Sequence, residues 1–230
     1  MTQVWDNVWE NRKKISDYSL HYYNFMKNFA DNLPEGAKVL EAGCGSGDTL
    51  AAFKKQETYG LDLSKKSLAL AKKNAKHTVL GDIFKMPFKD NTFDLVYNSG
   101  VLEHFPEPNN LKATKEMARI TKKGGYVVII LPNKYCFWYR AVKIATIRLT
   151  GKWEFGYEEE YSLPRLKHLV RRAGLKIEKS FGLTVLPPFA TNRKEILPLS
   201  VRKHLIHLDK LFPLREYYAF GTGVICKKIA

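Results

Sequence analysis

"VLEAGCGSGDTL", residues 39–50, sets three alternating glycines directly after a short apolar strand and flanks them with acids. In an open α/β sheet the ligand sits beyond the carboxyl ends of the strands, beside the turn that follows the first one. That turn needs residues without side chains, and Gly43, Gly45 and Gly47 supply them. A dinucleotide fingerprint would want a small residue at position 48, where this chain has Asp48. A carboxylate there would occupy the amides and positive dipole end that a pyrophosphate needs. As a capping residue, Asp48 reads first as the start of a helix. A P-loop also fails, since no Gly-Lys-Ser/Thr follows.

Outward from this turn, strands and helices alternate. "KVLEAG" (38–43), "TYGLDL" (58–63), "TVLGD" (78–82), "TFDLVYNSG" (92–100) and "YVVIILPN" (126–133) read as strands. Between them "DTLAAFKKQ" (48–56), "KKSLALAKKNAK" (65–76) and "NLKATKEMARIT" (110–121) read as helices, the last ended by a "KKGG" turn (122–125). A further helix (163–174) and strand (175–182) follow. "YAFGTGVICKKI" (218–229) is expected as a last, antiparallel strand at an edge. The fold predicted is α/β: a Rossmann-like, doubly wound, mostly parallel seven-stranded sheet with helices on both faces. Residues 1–36, rich in aromatics at helical spacing, are expected to form a helical lid over the site, or else to pack those rings into the core. Residues 37–230 form the main domain, with insertions at about 134–160 and 184–215.

The 38 Lys and Arg against 23 Asp and Glu leave a net charge of +15, a field that favours nucleic acid, an anionic membrane or an acidic substrate, or that only solvates the surface. Cys44, Cys136 and Cys226 lie far apart without CxxC spacing, which argues for reduced thiols, no metal site and a cytoplasmic setting. No signal peptide is read at the N-terminus, and the longest apolar run, "YVVIIL" (126–131), is strand length. The protein is expected to be soluble or peripheral at a membrane.

The acids recur at strand ends. Asp62, nineteen residues after Gly43, is placed to accept two hydrogen bonds from ribose hydroxyls. Asp82 is placed for the exocyclic amine of an adenine, and Glu41 and Asp48 flank the turn where an ammonium or sulfonium would be stabilised. A ligand with ribose, adenine and positive charge but no phosphate fits this row. S-adenosyl-L-methionine is that ligand, with S-adenosyl-L-homocysteine as its product.

"VLEAGCGSG", "YGLDLS", "GDIFKMPF" and "FDLVYNSGVLEHFPEP" resemble, in order and spacing, the motifs of class I S-adenosylmethionine-dependent methyltransferases. With "KKGGYVVIILPN" and "SLPRLKHLVRRAGLKI", the resemblance is to the branch of ubiquinone-biosynthesis-type and related small-molecule methyltransferases, over about residues 37–182. It implies a cofactor site of Glu41, Gly43, Cys44, Gly45 and Gly47 from the first motif and Asp62 and Leu63 from the second. Asp82 and Ile83 come from the third. Asn98, read from its place at the end of the fourth strand, either lines the cofactor's methionine end or begins a turn. His104 in "GVLEHF" falls near the transferring methyl; it is a candidate general base, or a residue whose hydrogen bonds hold the loop.

"NSGV" is not the N-P-P-Y-type loop of adenine- or glutamine-amino methyltransferases, and no Pro-Cys nucleophile pair follows the fourth strand. That leaves oxygen, carbon or a small amine as acceptor, on a small or lipid-like molecule. An RNA-directed methyltransferase and a non-catalytic cofactor-binding protein are the alternatives; a NAD-dependent dehydrogenase is disfavoured by Asp48. Residues 134–153 interleave Tyr135, Phe137, Trp138, Tyr139 and Trp153 with Lys134, Arg140, Lys143, Arg148 and Lys152 and contain no acid. Three readings are open for them: contact with an anionic membrane through Ala141, Ile144 and Ile147, an inward-packed cap, or an RNA-stacking face. Nothing in the pattern speaks to oligomeric state.

Overall fold

A computed structural model describes residues 5, 6, 8, 9, 16–153, 155–191 and 195–229; parts of the expected N-terminal lid and of both expected insertions lie outside the described residues. The strands are β1 (Lys38–Ala42), β2 (Glu57–Asp62), β3 (His77–Leu80), β4 (Phe93–Ser99), β5 (Thr121–Pro132), β6 (Leu175–Leu183) and β7 (Gly221–Lys228). Six α-helices are described: α1 (Asp17–Ala30), α2 (Lys65–Ala71), α3 (Asn109–Ile120), α4 (Phe137–Thr150), α5 (Leu163–Arg172) and α6 (Leu199–Leu205).

Seven strands form one sheet in the order β3-β2-β1-β4-β5-β7-β6. β1 pairs in parallel with both β2 and β4, so the chain reverses its winding at β1 and a crevice opens at that strand's carboxyl end. Alternation along each strand splits the core. Leu40, Val96, Val127 and Ile129 face a layer holding Met117 of α3 and Leu166 of α5. Val39, Leu95, Val128 and Ile130 face the layer of Met26 and Ala30 from α1. Burial on both faces is why β5 reads as an unbroken apolar run.

Three expectations change. β7 is antiparallel, as expected, but it fills the slot between β5 and β6, and β6 is the edge. Gly223 makes the slot habitable, since a Cβ there would stand 2.3 Å from the Phe181 ring of β6. Residues 48–56 carry no α-helix, only a 3₁₀ turn at Leu50–Ala52. The chain must return along the five residues of β1 to pair Glu57 with Lys38. That strand spans about 17 Å, whereas nine α-helical residues rise only about 14 Å. The "KKGG" segment is absorbed into β5, with a register shift against β4 and Gly124 at φ +77°. No described helix is long and apolar enough to cross a membrane.

Candidate active site

The glycine turn is aimed by β2. Gly43 and Cys44 donate their amides to the Leu61 carbonyl at 2.8 and 2.9 Å, and Gly45 donates to Asp62 Oδ2 at 2.9 Å. Gly43 and Gly45 hold φ of +79° and +51°, and a Cβ on them would strike Val101 at 2.6 Å and Trp9 at 2.1 Å. Those two positions need glycine on both counts. Asp62 Oδ1 also accepts from Ser64 N at 2.9 Å. The carboxylate that ends β2 therefore shapes the turn as well as facing the crevice.

A cavity of about 850 Å³ opens here, near the top of the roughly 300–1,000 Å³ usual for small-molecule sites. Glu41, Gly43, Cys44, Gly45, Asp62, Leu63, Asp82 and Ile83 all line it, as do Asp48 and His104. Two expected residues do not. Gly47 packs against α2, where a Cβ would meet Ala71 at 3.2 Å. Asn98 is buried, and its amide donates to the Ala42 carbonyl at 2.6 Å. Ala42 lies beyond the last β1 residue paired with β4, so the side chain supplies the missing partner. Asp48 caps no α-helix, because none follows.

The electrostatics of the lining oppose those of the surface. Glu41, Asp48, Asp62, Asp82, Glu103 and Glu158 line the cavity, and among the described residues no Lys or Arg does. Glu41 accepts from Thr49 at 2.8 Å and from Tyr97 at 3.1 Å. Burial pushes its carboxyl up to about 8, against those hydrogen bonds. Burial also raises Asp62, opposed by the Ser64 and Gly45 amides. Such a wall favours a ligand that brings positive charge and hydroxyl or amine donors, and rejects phosphate.

The other half of the cavity is aromatic and assembled from distant segments. Phe220 stands 4.4 Å from Tyr18 and 4.7 Å from Tyr139, ring centre to ring centre. Trp153 and Phe155 continue the wall at 5.4 Å. Glu158 stitches it together, accepting from Tyr139 at 2.7 Å, Trp153 at 3.0 Å and Lys143 at 3.1 Å. Neither Glu158 nor Phe220 stood out in the sequence; the aromatic density of residues 134–153 was the one usable signal.

His104 lies where the halves meet. Its Nδ1 is 2.6 Å from the Tyr157 carbonyl, which can only accept, so Nδ1 carries the proton and Nε2 keeps its lone pair. Burial holds the imidazole below its usual range, and Trp5 lies edge-on at 4.7 Å. Glu103 Oε1 is 3.7 Å from Nε2, while Glu103 Oε2 is buried without a partner. Burial raises the Glu103 carboxyl well above the ordinary range. Cys44, Cys136 and Cys226 are buried and free of disulfides, and no metal-holding group of side chains occurs among the described residues.

A methyltransferase-domain family matches residues 40–129. Over 165 residues the chain is 37% identical to a demethylmenaquinone methyltransferase of Staphylococcus haemolyticus, covering 60% of this chain and 68% of the relative. A demethylmenaquinone methyltransferase of Bacillus licheniformis is 38% identical over 109 residues, 43% of this chain and 46% of the relative. A tRNA (carboxymethyluridine(34)-5-O)-methyltransferase of Arabidopsis thaliana is 29% identical over 102 residues, 44% of this chain and 25% of the relative. The chain spans about half or less of the length of the first curated relatives it matches. A solved S-adenosylmethionine-dependent methyltransferase of Thermotoga maritima shares the fold, with TM-score 0.64 at 21% identity over 91% of this chain and 90% of that one.

Proposed function

Because this chain belongs to the class I S-adenosylmethionine-dependent methyltransferases, we propose that it methylates an oxygen or carbon of a small or lipid-like, aromatic acceptor. One observation carries the reading: six acidic side chains and no described cation line a cavity whose other half is aromatic. S-adenosylmethionine, when bound, supplies an electrophilic methyl on a cationic sulfur. Asp62 would hold the ribose hydroxyls, Asp82 with Ile83 the adenine, and Glu41 the cationic end. The aromatic half takes the acceptor, and the relatives named for demethylmenaquinone support a quinone-type ring there. Methyl transfer would leave the acceptor with a proton to lose, and His104 Nε2, which keeps its lone pair, would be the group to take it. In-line transfer then rests on positioning in a dry, preorganised site.

Asp62→Ala should weaken S-adenosylhomocysteine binding by about 30- to 150-fold, the worth of about 2–3 kcal/mol of charge-assisted hydrogen bonds. Calorimetry reads this directly, and unchanged affinity in the folded variant would falsify the assignment. Incubation with methyl-labelled cofactor and quinol or phenol acceptors tests the transfer itself.

The N-terminal segment acts as the lid of this site. Trp5, Trp9, Tyr18 and Tyr22 line the cavity, and Asp6 hydrogen-bonds Ser64 beside Asp62. α1 is the fixed part, with Met26 fully buried and Phe25 stacked on Phe181 at 4.1 Å. Removing residues 1–15 should therefore keep the fold and cost about tenfold in cofactor affinity, through water let into the site. Native affinity in the folded truncation would end the lid reading.

A second reading is transfer to RNA, supported by the +15 charge and the relative named for tRNA. Tight tRNA binding that falls steeply with salt would favour it.

A further inference from the structure

We propose that α4 is a docking element for an anionic lipid bilayer and that it sets the mouth of the cavity against the membrane surface. The helix divides its residues unequally. Trp138 and Tyr139 turn inward onto Phe220, so the aromatic residues that suit a membrane interface are largely spent on the cavity wall. Phe137, Ala141 and Ile144 point to solvent at i, i+4 and i+7, and Arg148 completes the stripe at i+11. Beside them Val142 is exposed, and Leu149 is 85% exposed at the end of the helix. Scattered exposed leucines are ordinary, but several exposed apolar side chains gathered on one helix mark a contact surface.

Charge selects the partner. Arg140 pairs with Glu160 and Lys143 with Glu158, so those two cations are already answered. Among the described residues Arg148 and Lys152 pair with no acid, and both lie at the outer end of the helix next to Leu149. Apolar side chains rimmed by unpaired cations fit a headgroup–acyl boundary bearing anionic lipid. The cavity supplies an independent observation. Val142 is both exposed on α4 and part of the cavity lining, so the helix carries an apolar side chain at the mouth of the aromatic chamber. An acceptor held in the bilayer could leave it through that mouth; this last clause alone rests on the proposed methyltransferase reaction.

Vesicle flotation tests the docking on the whole chain. The native protein should float with equimolar phosphatidylcholine–phosphatidylglycerol vesicles and stay down with phosphatidylcholine alone. The combined variant Phe137→Ser, Ile144→Ser and Leu149→Ser should lose at least about tenfold in vesicle affinity, through lost apolar burial. Its melting temperature and S-adenosylhomocysteine affinity should be unchanged. Arg148→Glu and Lys152→Glu should each lose about fivefold or more on the anionic vesicles. Absence of flotation by the native protein, or flotation of the triple variant like the native, overturns the proposal. So does tRNA binding that the triple variant loses, which would give the face to nucleic acid. Flotation as expected by a protein that binds no cofactor would uphold the docking and reject the enzyme reading.

Discussion

His104→Ala is expected to lower kcat by about 10²- to 10⁴-fold, the usual worth of a positioned general base, while cofactor affinity stays close to native. The expectation rests on geometry. The Tyr157 carbonyl at 2.6 Å fixes the protonated nitrogen, leaving Nε2 with the lone pair that the proposed base needs. His104→Gln separates the two roles considered for this residue. Its amide can still donate to Tyr157 and hold the loop, but it cannot take a proton. Near-native turnover in the glutamine variant would assign His104 to holding the loop. The pH profile gives a second readout. Burial lowers the imidazole pKa, and only the neutral ring is a base, so kcat/KM should rise with pH through a midpoint below the ordinary histidine value. The variants should lack that acid limb.

The second large effect concerns stability. Arg202→Met should cost about 3–5 kcal/mol, because it leaves a buried carboxylate without its cation. Arg202 donates to Asp17 at 2.6 Å and to Glu195 at 2.6 Å, and Arg202 and Asp17 are both buried. Asp17 also accepts the amides of Phe189 and Ala190 at 2.7 and 3.2 Å. This cluster ties the start of α1 to the segment whose Pro187, Pro188 and Thr191 line the cavity. A loss of this size is a large share of the roughly 5–15 kcal/mol that holds a domain together. Urea denaturation measures it. Adding Asp17→Asn should restore part of the loss, since the amide oxygen can still accept from Phe189 and Ala190 without a stranded charge. If Arg202→Met costs under about 1 kcal/mol, the pair is no more than a surface ion pair in its effect.

What the sequence determined by itself was the acidic, glycine-lined half of the site. Each of its groups sits at the end of its own strand, and strand ends are local features readable from alternation and turn residues. Parallel pairing then brings them together without further information, as the pairing of Glu41 with Gly60 and of Asp62 with Leu80 shows. The failures have the opposite character. Whether β7 lies at an edge or in a slot depends on Phe181 packing over Gly223, a contact between two strands far apart in the chain. The missing helix after the glycine turn follows from the distance back to Glu57, which periodicity does not contain. Only the tertiary structure built the aromatic half, from Trp5, Tyr18, Tyr139, Trp153 and Phe220. It also chose the tautomer of His104, through a carbonyl 53 residues away. It alone turned Trp138 and Tyr139 of α4 inward and left Phe137, Ile144 and Leu149 exposed, because a side chain's burial is set by what packs over it and not by its own hydrophobicity.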